Sequence, residues 1–365
     1  MPPLPCEKTD ATVIFFEPDY YVAKEQFIND RYNVALYVTL NTELVGTEFN
    51  GKTLLSLSEA AYNMRGKIII AVLLSEVLNR LVQLLLDTGV DKDDIVLTFN
   101  IPGFVHNTKD GSFNELVSVV PGAIEYGILE NGNIACAIEG KKLLVSTYDE
   151  LFIVKEIFYD KCYDFTTPHN SLTVVDIGMN IGTASLFFAS KQGVNRVYSF
   201  EPFPATFERA LENFRLNELP ENMIFPHSYG ISNETKVLEV PYDRNWKGHM
   251  STVLHSETAP SLEKAEIEVV DIAQVFSAII ELHPEDQFVF KVDCEGGEYE
   301  IFDRLNETGL IKKIHIIILE WHNIAEVNGN IARLERVLEQ NGFIYHVIGT
   351  RHAPTGMLFA TNGIV

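Results

Sequence analysis

Positive charge is scarce in this 365-residue chain: 28 lysines and arginines stand against 51 aspartates and glutamates, a formal net charge of −23. A nucleic-acid partner needs a basic face, so this balance argues against one. Cysteine is scarce as well. Cys6, Cys136, Cys162 and Cys294 sit at none of the spacings that mark metal knuckles or redox dithiols, a usage that fits a reducing cytoplasm. Long apolar runs are missing. KIIIAVLLSEVL, from Lys67, is interrupted by charge well short of a bilayer span, and no signal-peptide pattern marks the N-terminus. The expectation is a soluble, cytoplasmic protein without membrane insertion, its oligomeric state left open. With 46% hydrophobic residues the chain can bury a large core, and its length suits two domains.

Up to residue 100, strand-like runs alternate with helical spacing. TVIFF, NVALYVT, KIIIAV and DIVLTF read as buried, β-branched strands, and SEVLNRLVQLLLDTG as an amphipathic helix stopped by Gly89. That rhythm predicts a small parallel α/β unit over residues 1–100. The turn after TVIFF, EPDYYVAKEQF, holds no glycine, so a dinucleotide could not approach its backbone closely, and the usual nucleotide site is expected to be lost. Residues 101–170 read as a connector: GILENGNIACAIEGKKLLVST, with Asn-Gly and Glu-Gly turns, predicts a β-meander, and LFIVKEIFYDKCYDF a helix. From 171 to 365 the α/β rhythm resumes. SLTVVDIG, NRVYSFE, MIFPHSYG, QFVFKVD, IHIIILEW and FIYHVIG are its strands, GMLFATNGIV a final one, and four amphipathic segments fall between them.

The first strand of this last region runs into DIGMNIG, Asp176 to Gly182. A strand, a glycine turn and a helix start in that order serve dinucleotides, nucleoside triphosphates or S-adenosylmethionine (SAM). The turn lacks both the G-x-G-x-x-G spacing and the Gly-Lys-Ser/Thr ending, and no lysine waits for a phosphate. Two glycines beside an acid suit a cationic ligand without phosphates, which is SAM. About twenty residues on, VYSFEPF ends a strand at Glu201, where a carboxylate can accept both ribose hydroxyls. Asp176, Gly178, Asn180, Gly182, Glu201 and Pro202 are the candidate cofactor residues.

DIGMNIG, VYSFEPFPATFERALENFRLN and KVDCEGGEYEIF, in that order, resemble the FkbM-type SAM-dependent methyltransferases. Glu201, Pro202, Asn213 and Asn217 match that family's Phe-Glu-Pro signature with its Asn-bearing helix. Lys291, Asp293, Glu295 and Gly296 match its Lys-hydrophobic-Asp-x-Glu-Gly signature. The resemblance spans about residues 140–362. It implies a class I methyltransferase, Rossmann-like, with a seven-stranded sheet whose last strand is antiparallel, and O-methylation of a sugar, a polysaccharide precursor or another small hydroxylated acceptor. The first hundred residues look, more loosely, like degenerate nucleotide-binding units of bacterial surface-polysaccharide proteins. A non-catalytic SAM-fold scaffold in a glycan-assembly complex is the alternative; the full SAM motif argues against it. A nucleotide-sugar oxidoreductase built on the first unit is weaker still, for want of a glycine fingerprint.

Transfer to a hydroxyl needs a group that takes its proton. In open α/β sheets such groups stand at the carboxyl ends of strands. Asp293 is the preferred base, followed by Glu320 and His322, which alternation puts on one side of a strand. Glu295 is a candidate for the acceptor. So are Trp246, His249 and Ser251 in the polar loop NWKGHMSTVLHSE, where an aromatic beside polar groups can stack on a sugar. Asp293, Glu295, Glu320 and His322 would suit magnesium, manganese or iron, but no spacing demands a metal and none is expected.

Overall fold

β-Branched residues need pleated, buried surroundings, and both halves of the chain supply them in parallel sheets. The computed structural model describes residues 8–16, 18–22, 25–72, 75–98, 124–242, 263–324, 329–350 and 353–362. It divides into two compact units, Met1–Lys155 and Glu156–Val365.

In the first unit the four apolar runs form strands Thr9–Phe15, Tyr32–Thr39, Lys67–Ala71 and Ile95–Leu97. They make one parallel sheet with the first strand between the second and third. The helix Glu76–Asp87 starts on the Ser75 side chain and buries Leu78, Leu81, Val82 and Leu85. At the carboxyl end of the first strand, Phe15 meets Tyr21, Tyr37 and Phe49 with ring centroids 5.5–6.3 Å away. The Tyr21 and Tyr37 hydroxyls lie 3.1 Å apart. Aromatic side chains thus back the glycine-free turn. The meander is present as strands Glu125–Ile128, Ile134–Ile138 and Lys141–Leu144, antiparallel throughout, and falls within this unit. Among the described residues, no helix is long and apolar enough to cross a membrane.

The second unit is built on seven strands: β1 (Leu172–Ile177), β2 (Val194–Phe200), β3 (Ile224–His227), β4 (Gln287–Val292), β5 (Ile314–His322), β6 (Phe343–Ile348) and β7 (Thr355–Asn362). Their spatial order is β3-β2-β1-β4-β5-β7-β6, parallel except for β7, which runs against both β5 and β6. The chain reverses its direction of winding between β1 and β4, so the ligand crevice of such a sheet opens at their carboxyl ends. Helices α1 (Thr183–Ala189), α2 (Pro204–Arg215), α3 (Ile272–Leu282), α4 (Glu298–Glu307) and α5 (Ile331–Gln340) cover the sheet. The largest core cluster packs Phe276, Phe290, Tyr299, Phe302 and Trp321 against the aliphatic strand residues. Trp321 is fully buried, and a Cβ on Gly356 of β7 would stand 2.5 Å from its ring.

One stretch departs from the reading of the sequence. MIFPHSYG is not one strand: it gives β3 and then Gly230–Ser232, which joins a separate three-stranded sheet with Lys236–Tyr242 and Glu263–Asp271. The apolar face of that sheet, Val240 and Ile267, packs on Phe203 at the start of α2. Local patterning could not separate these two short strands because Ser228 and Tyr229 continue the same composition.

Below the crevice, at the amino ends of the strands, Asp286 ties β1 to β2 and β4. It accepts hydrogen bonds from Ser171 Oγ and Thr173 Oγ1, each at 2.6 Å, and pairs with Arg196. Burial pushes its carboxyl up, but the two hydroxyls and the guanidinium outweigh that and hold it below the usual aspartate range. Asp286→Asn should therefore destabilise the unit by roughly 2–4 kcal/mol in urea unfolding at neutral pH. Because the folded-state pKa is depressed, this contribution is complete above the unfolded value of 3.8 and fades as pH falls through the folded one. The gap between wild type and variant should close in acid; a gap constant with pH would rule out the ionic part.

Candidate active site

A fully buried β1 delivers its last residues to a turn that only unusual backbone can make. Gly178 and Gly182 have φ of 80° and 84°, and Asn180, the commonest non-glycine in that region, has 52°. A Cβ on Gly178 would lie 1.7 Å from the carbonyl oxygen of Asp293. Gly178 is thus required by the approach of the β4 turn as well as by its own φ. Asn213 of α2 donates Nδ2 to Ile181 O at 2.8 Å, and Asn217 donates to Asn213 O at 2.7 Å. The paired asparagines of the second signature anchor the glycine turn to α2.

Asp176, expected beside the cofactor, lies beneath the turn with no exposed surface. Its Oδ2 accepts from Ser185 at 2.6 Å, and its Oδ1 is 3.3 Å from the Lys291 ammonium. Lys291, on β4 and equally buried, donates to Gly178 O at 2.6 Å and stands 3.6 Å from Asp293 Oδ2. Burial pulls the ammonium pKa down; Asp176 and Asp293 outweigh it and hold it above the ordinary lysine value.

Glu201 closes the other side of the turn. Its Oε2 accepts the Asn180 N–H and its Oε1 the Phe203 N–H, both at 3.0 Å. Each oxygen keeps a further lone-pair site. Burial raises the carboxyl to about 7 despite these two bonds. Pro202 packs near Gly230, where an added Cβ would meet its ring carbons at 3.3 Å. Around this turn, Asn180 Oδ1 and Thr183 Oγ1 are buried without a hydrogen-bond partner among the described residues. Orphaned polar atoms beside a close-approach glycine and a strand-end carboxylate are what a polar cofactor with a ribose would satisfy.

The second half of the crevice follows β4 and β5. Asp293 donates its N–H to Ile177 O at 3.0 Å and accepts the Tyr163 hydroxyl at Oδ2, 2.9 Å away. Glu295 has φ of 51° and Gly296 of 107°, so the chain doubles back before α4. Glu298, the first residue of α4, is wholly buried. Its Oε2 takes the Gly296 N–H at 2.7 Å; its Oε1 takes the His322 N–H at 2.9 Å and faces His322 Nδ1 at 3.3 Å. The carboxylate does more than face a helix start, because it ties the β4 turn to the end of β5. His322 Nε2 points the other way, 3.4 Å from Glu295 Oε2. Burial lowers the imidazole, but the bond to Glu298 and the charges of Glu298, Glu295 and Asp293 lift it to about 9. Burial raises Glu295 to about 7, with His322 opposing and Asp293 and Glu320 adding. Glu320 shares the β5 face with His322, as alternation required, and accepts the Thr355 hydroxyl at 2.7 Å.

Asp293, Glu295, Glu320 and His322 are therefore neighbours, next to the turn that carries Gly178 and Asn180. Trp246, His249 and Ser251 lie outside the described residues. Tyr163 and Thr183 were not singled out from sequence. Tyr163 precedes β1 by nine residues with no motif around it, and Thr183 reads as an ordinary helix start.

A β3-β2-β1-β4-β5-β7-β6 sheet with a glycine turn after β1 and a carboxylate ending β2 defines a class I methyltransferase. Comparison with known proteins agrees: residues 176–345 match the Methyltransferase FkbM domain. The protein is a methyltransferase that uses SAM, and its likeness to that family covers a little under half of the chain. Methyltransferase sdnD of Sordaria araneosa is 27% identical over 222 residues, 54% of this chain and 84% of that protein. Hexuronic acid methyltransferase AglP of Haloferax volcanii is 29% identical over 150 residues, 40% and 54% of the two chains. The crystal structure of Methyltransferase FkbM from Methylobacillus flagellatus aligns over 97% of this chain and 91% of its own, at 13% identity and a TM-score of 0.37. So loose a likeness adds nothing to the sheet order.

Lys291→Met tests the buried centre. It leaves Asp176 and Asp293 without their cation and should cost roughly 3–5 kcal/mol in urea unfolding. A loss below about 1 kcal/mol would mean that the ion pairs are not what holds the turns together.

Proposed function

We propose that this protein transfers the methyl group of SAM to a hydroxyl of a sugar, a polysaccharide precursor or a similar small hydroxylated acceptor. The observation that carries this reading is the group of carboxylates, Asp293 and Glu295 with Glu320 in electrostatic reach of both, beside the glycine turn. An alcohol must shed a proton as it is methylated, and a carboxylate within reach is the group to take it. The name of the Haloferax volcanii relative, a hexuronic acid methyltransferase, supports a sugar acceptor.

When bound, SAM supplies a methyl group on a positively charged sulfur. The chain's own residues do the rest. The second lone-pair sites of Glu201 receive the ribose hydroxyls, and Asn180 and Thr183 offer their unused side-chain oxygens to the polar part of the cofactor. Asp176 acts from below by fixing the turn through Lys291. Tyr163 holds Asp293 Oδ2, so Oδ1, without a hydrogen bond among the described residues, faces the acceptor. The acceptor's O–H proton passes to Asp293 as the oxygen–methyl bond forms and the sulfur–methyl bond breaks. S-adenosylhomocysteine and a methyl ether remain. Positioning supplies much of the acceleration in such an in-line displacement.

Calorimetric titration with S-adenosylhomocysteine, with NAD as control, tests the cofactor half. Glu201→Gln should weaken binding roughly tenfold or more, since a hydrogen bond to a charged group is worth about 1.5–3 kcal/mol. Ribose hydroxyls donate to the ionised form, so binding and deprotonation are coupled. Wild-type affinity should rise with pH through about 7 and level off above, and the variant should lose that slope. Equal slopes would remove Glu201 from the ribose. Asp293→Asn tests the acceptor half: turnover of hydroxylated sugars in a methyl-transfer screen should vanish while S-adenosylhomocysteine affinity is kept. An active variant would transfer the base's role to Glu320 or His322.

A further inference from the structure

Three side chains past the carboxyl ends of β4 and β5 point their donor atoms at one spot. A carboxylate oxygen of Asp293, one of Glu295 and a ring nitrogen of His322 all lie within 4.8 Å of one another. We propose that these three residues bind one divalent cation of the Mg2+/Mn2+ class, which takes the acceptor hydroxyl as a further ligand. The proposal rests on the hydroxyl-transfer reading above; with the cation in place Asp293 serves as its ligand, and Glu320 takes the acceptor's proton in its stead.

Clustered carboxylates alone would not define a site; His322 supplies the independent pointer. Its side chain is nine-tenths buried, with Nδ1 turned onto the wholly buried Glu298. Nε2 is aimed between the two carboxylates and makes no hydrogen bond among the described residues, only the ionic contact with Glu295. A carboxylate behind an imidazole is the arrangement that orients histidine for a metal and fixes which nitrogen is offered. Asp293 is held in the same manner from outside, by the Tyr163 hydroxyl. Charge points the same way. Among the described residues, Asp176, Asp293, Glu295, Glu298 and Glu320 gather here against Lys291 and His322, and Lys291 is already shared between Asp176 and Asp293. An excess of negative charge in a partly buried crevice invites a dication. Two carboxylates suit Mg2+ or Mn2+, the single imidazole is better accepted by Mn2+ than by Mg2+, and the set lacks the thiolates of structural zinc and the many oxygens that Ca2+ takes.

A hydroxyl bound to the cation becomes a stronger acid. Its proton passes to Glu320 on β5, the oxygen–methyl bond forms as the sulfur–methyl bond breaks, and the cation is unchanged. The rival account is a plain ion pair between a protonated His322 and Glu295, closed to metals.

The test is an electron paramagnetic resonance titration of the chelator-dialysed full-length protein with Mn2+, without cofactor. One Mn2+ per chain should bind, and Mg2+ should displace it. Glu295→Gln and His322→Asn should each weaken binding roughly tenfold or more while S-adenosylhomocysteine affinity, measured in parallel as a check on folding, stays within about twofold. No stoichiometric Mn2+ binding, or both variants binding as wild type does, would overturn the site. Methyl transfer that survives the chelator in full would overturn the cation's role and leave the transferase reading intact. Mn2+ bound stoichiometrically and lost in the variants, with no hydroxylated acceptor methylated, would keep the site and overturn the acceptor reading instead.

Discussion

One buried ammonium organises the methyltransferase unit. Lys291 sits on β4 with two acids and a carbonyl around it, and each belongs to a different piece of the crevice: Asp176 to the end of β1, Gly178 to the cofactor turn, Asp293 to the turn after β4. A buried lysine is tolerable only when its charge is met on several sides. Meeting it here forces both turns to a common point. The 1.7 Å clash that a Gly178 side chain would make with Asp293 is the steric side of the same convergence. The glycine turn after β1 and the turn after β4 are thereby held in fixed relation by a charge buried beneath both.

Two other buried carboxylates work as backbone clamps. Glu201 receives N–H groups from the turn after β1 and from the entry to α2. Glu298 receives them from the β4 turn and from the end of β5. Loops at strand ends leave backbone donors without ladder partners, and a carboxylate that takes two of them sets the loop's shape at the cost of burying charge. The rise of Glu201 to about 7 is the mark of that cost. It puts the group where ligand hydrogen bonds can decide its protonation near neutral pH.

Most of the architecture was legible because it obeys periodicity. Runs such as VVDI and FVFKV are apolar on both faces, as a doubly covered parallel sheet requires, and the helices between them carry one apolar stripe. The glycine turn and Glu201 were legible from chemistry, through what the turn lacks for a phosphate. The signatures around Asn213 and Lys291 marked positions without explaining them. Asn213 binds the carbonyl of Ile181 and Lys291 the carboxylate of Asp176, partners more than thirty residues away that spacing cannot reveal. Asp176 was assigned to the cofactor's side because a strand-end acid beside glycines invites it; Ser185, one turn into α1, is what draws it underneath. Tyr163 stayed hidden because nothing local distinguishes a core tyrosine from one whose hydroxyl meets Asp293.

The packing of Trp321 against Gly356 links the hidden face of the sheet to the chemistry on the other. Trp321 stands between Glu320 and His322 on β5, and strand alternation sends its indole away from the crevice. The ring packs against bare backbone on β7, and this fit braces the strand against rotation. The aim of Glu320 and His322 is thus inherited from an apolar fit behind the sheet, and a methyl group added at position 356 would misdirect both without touching either.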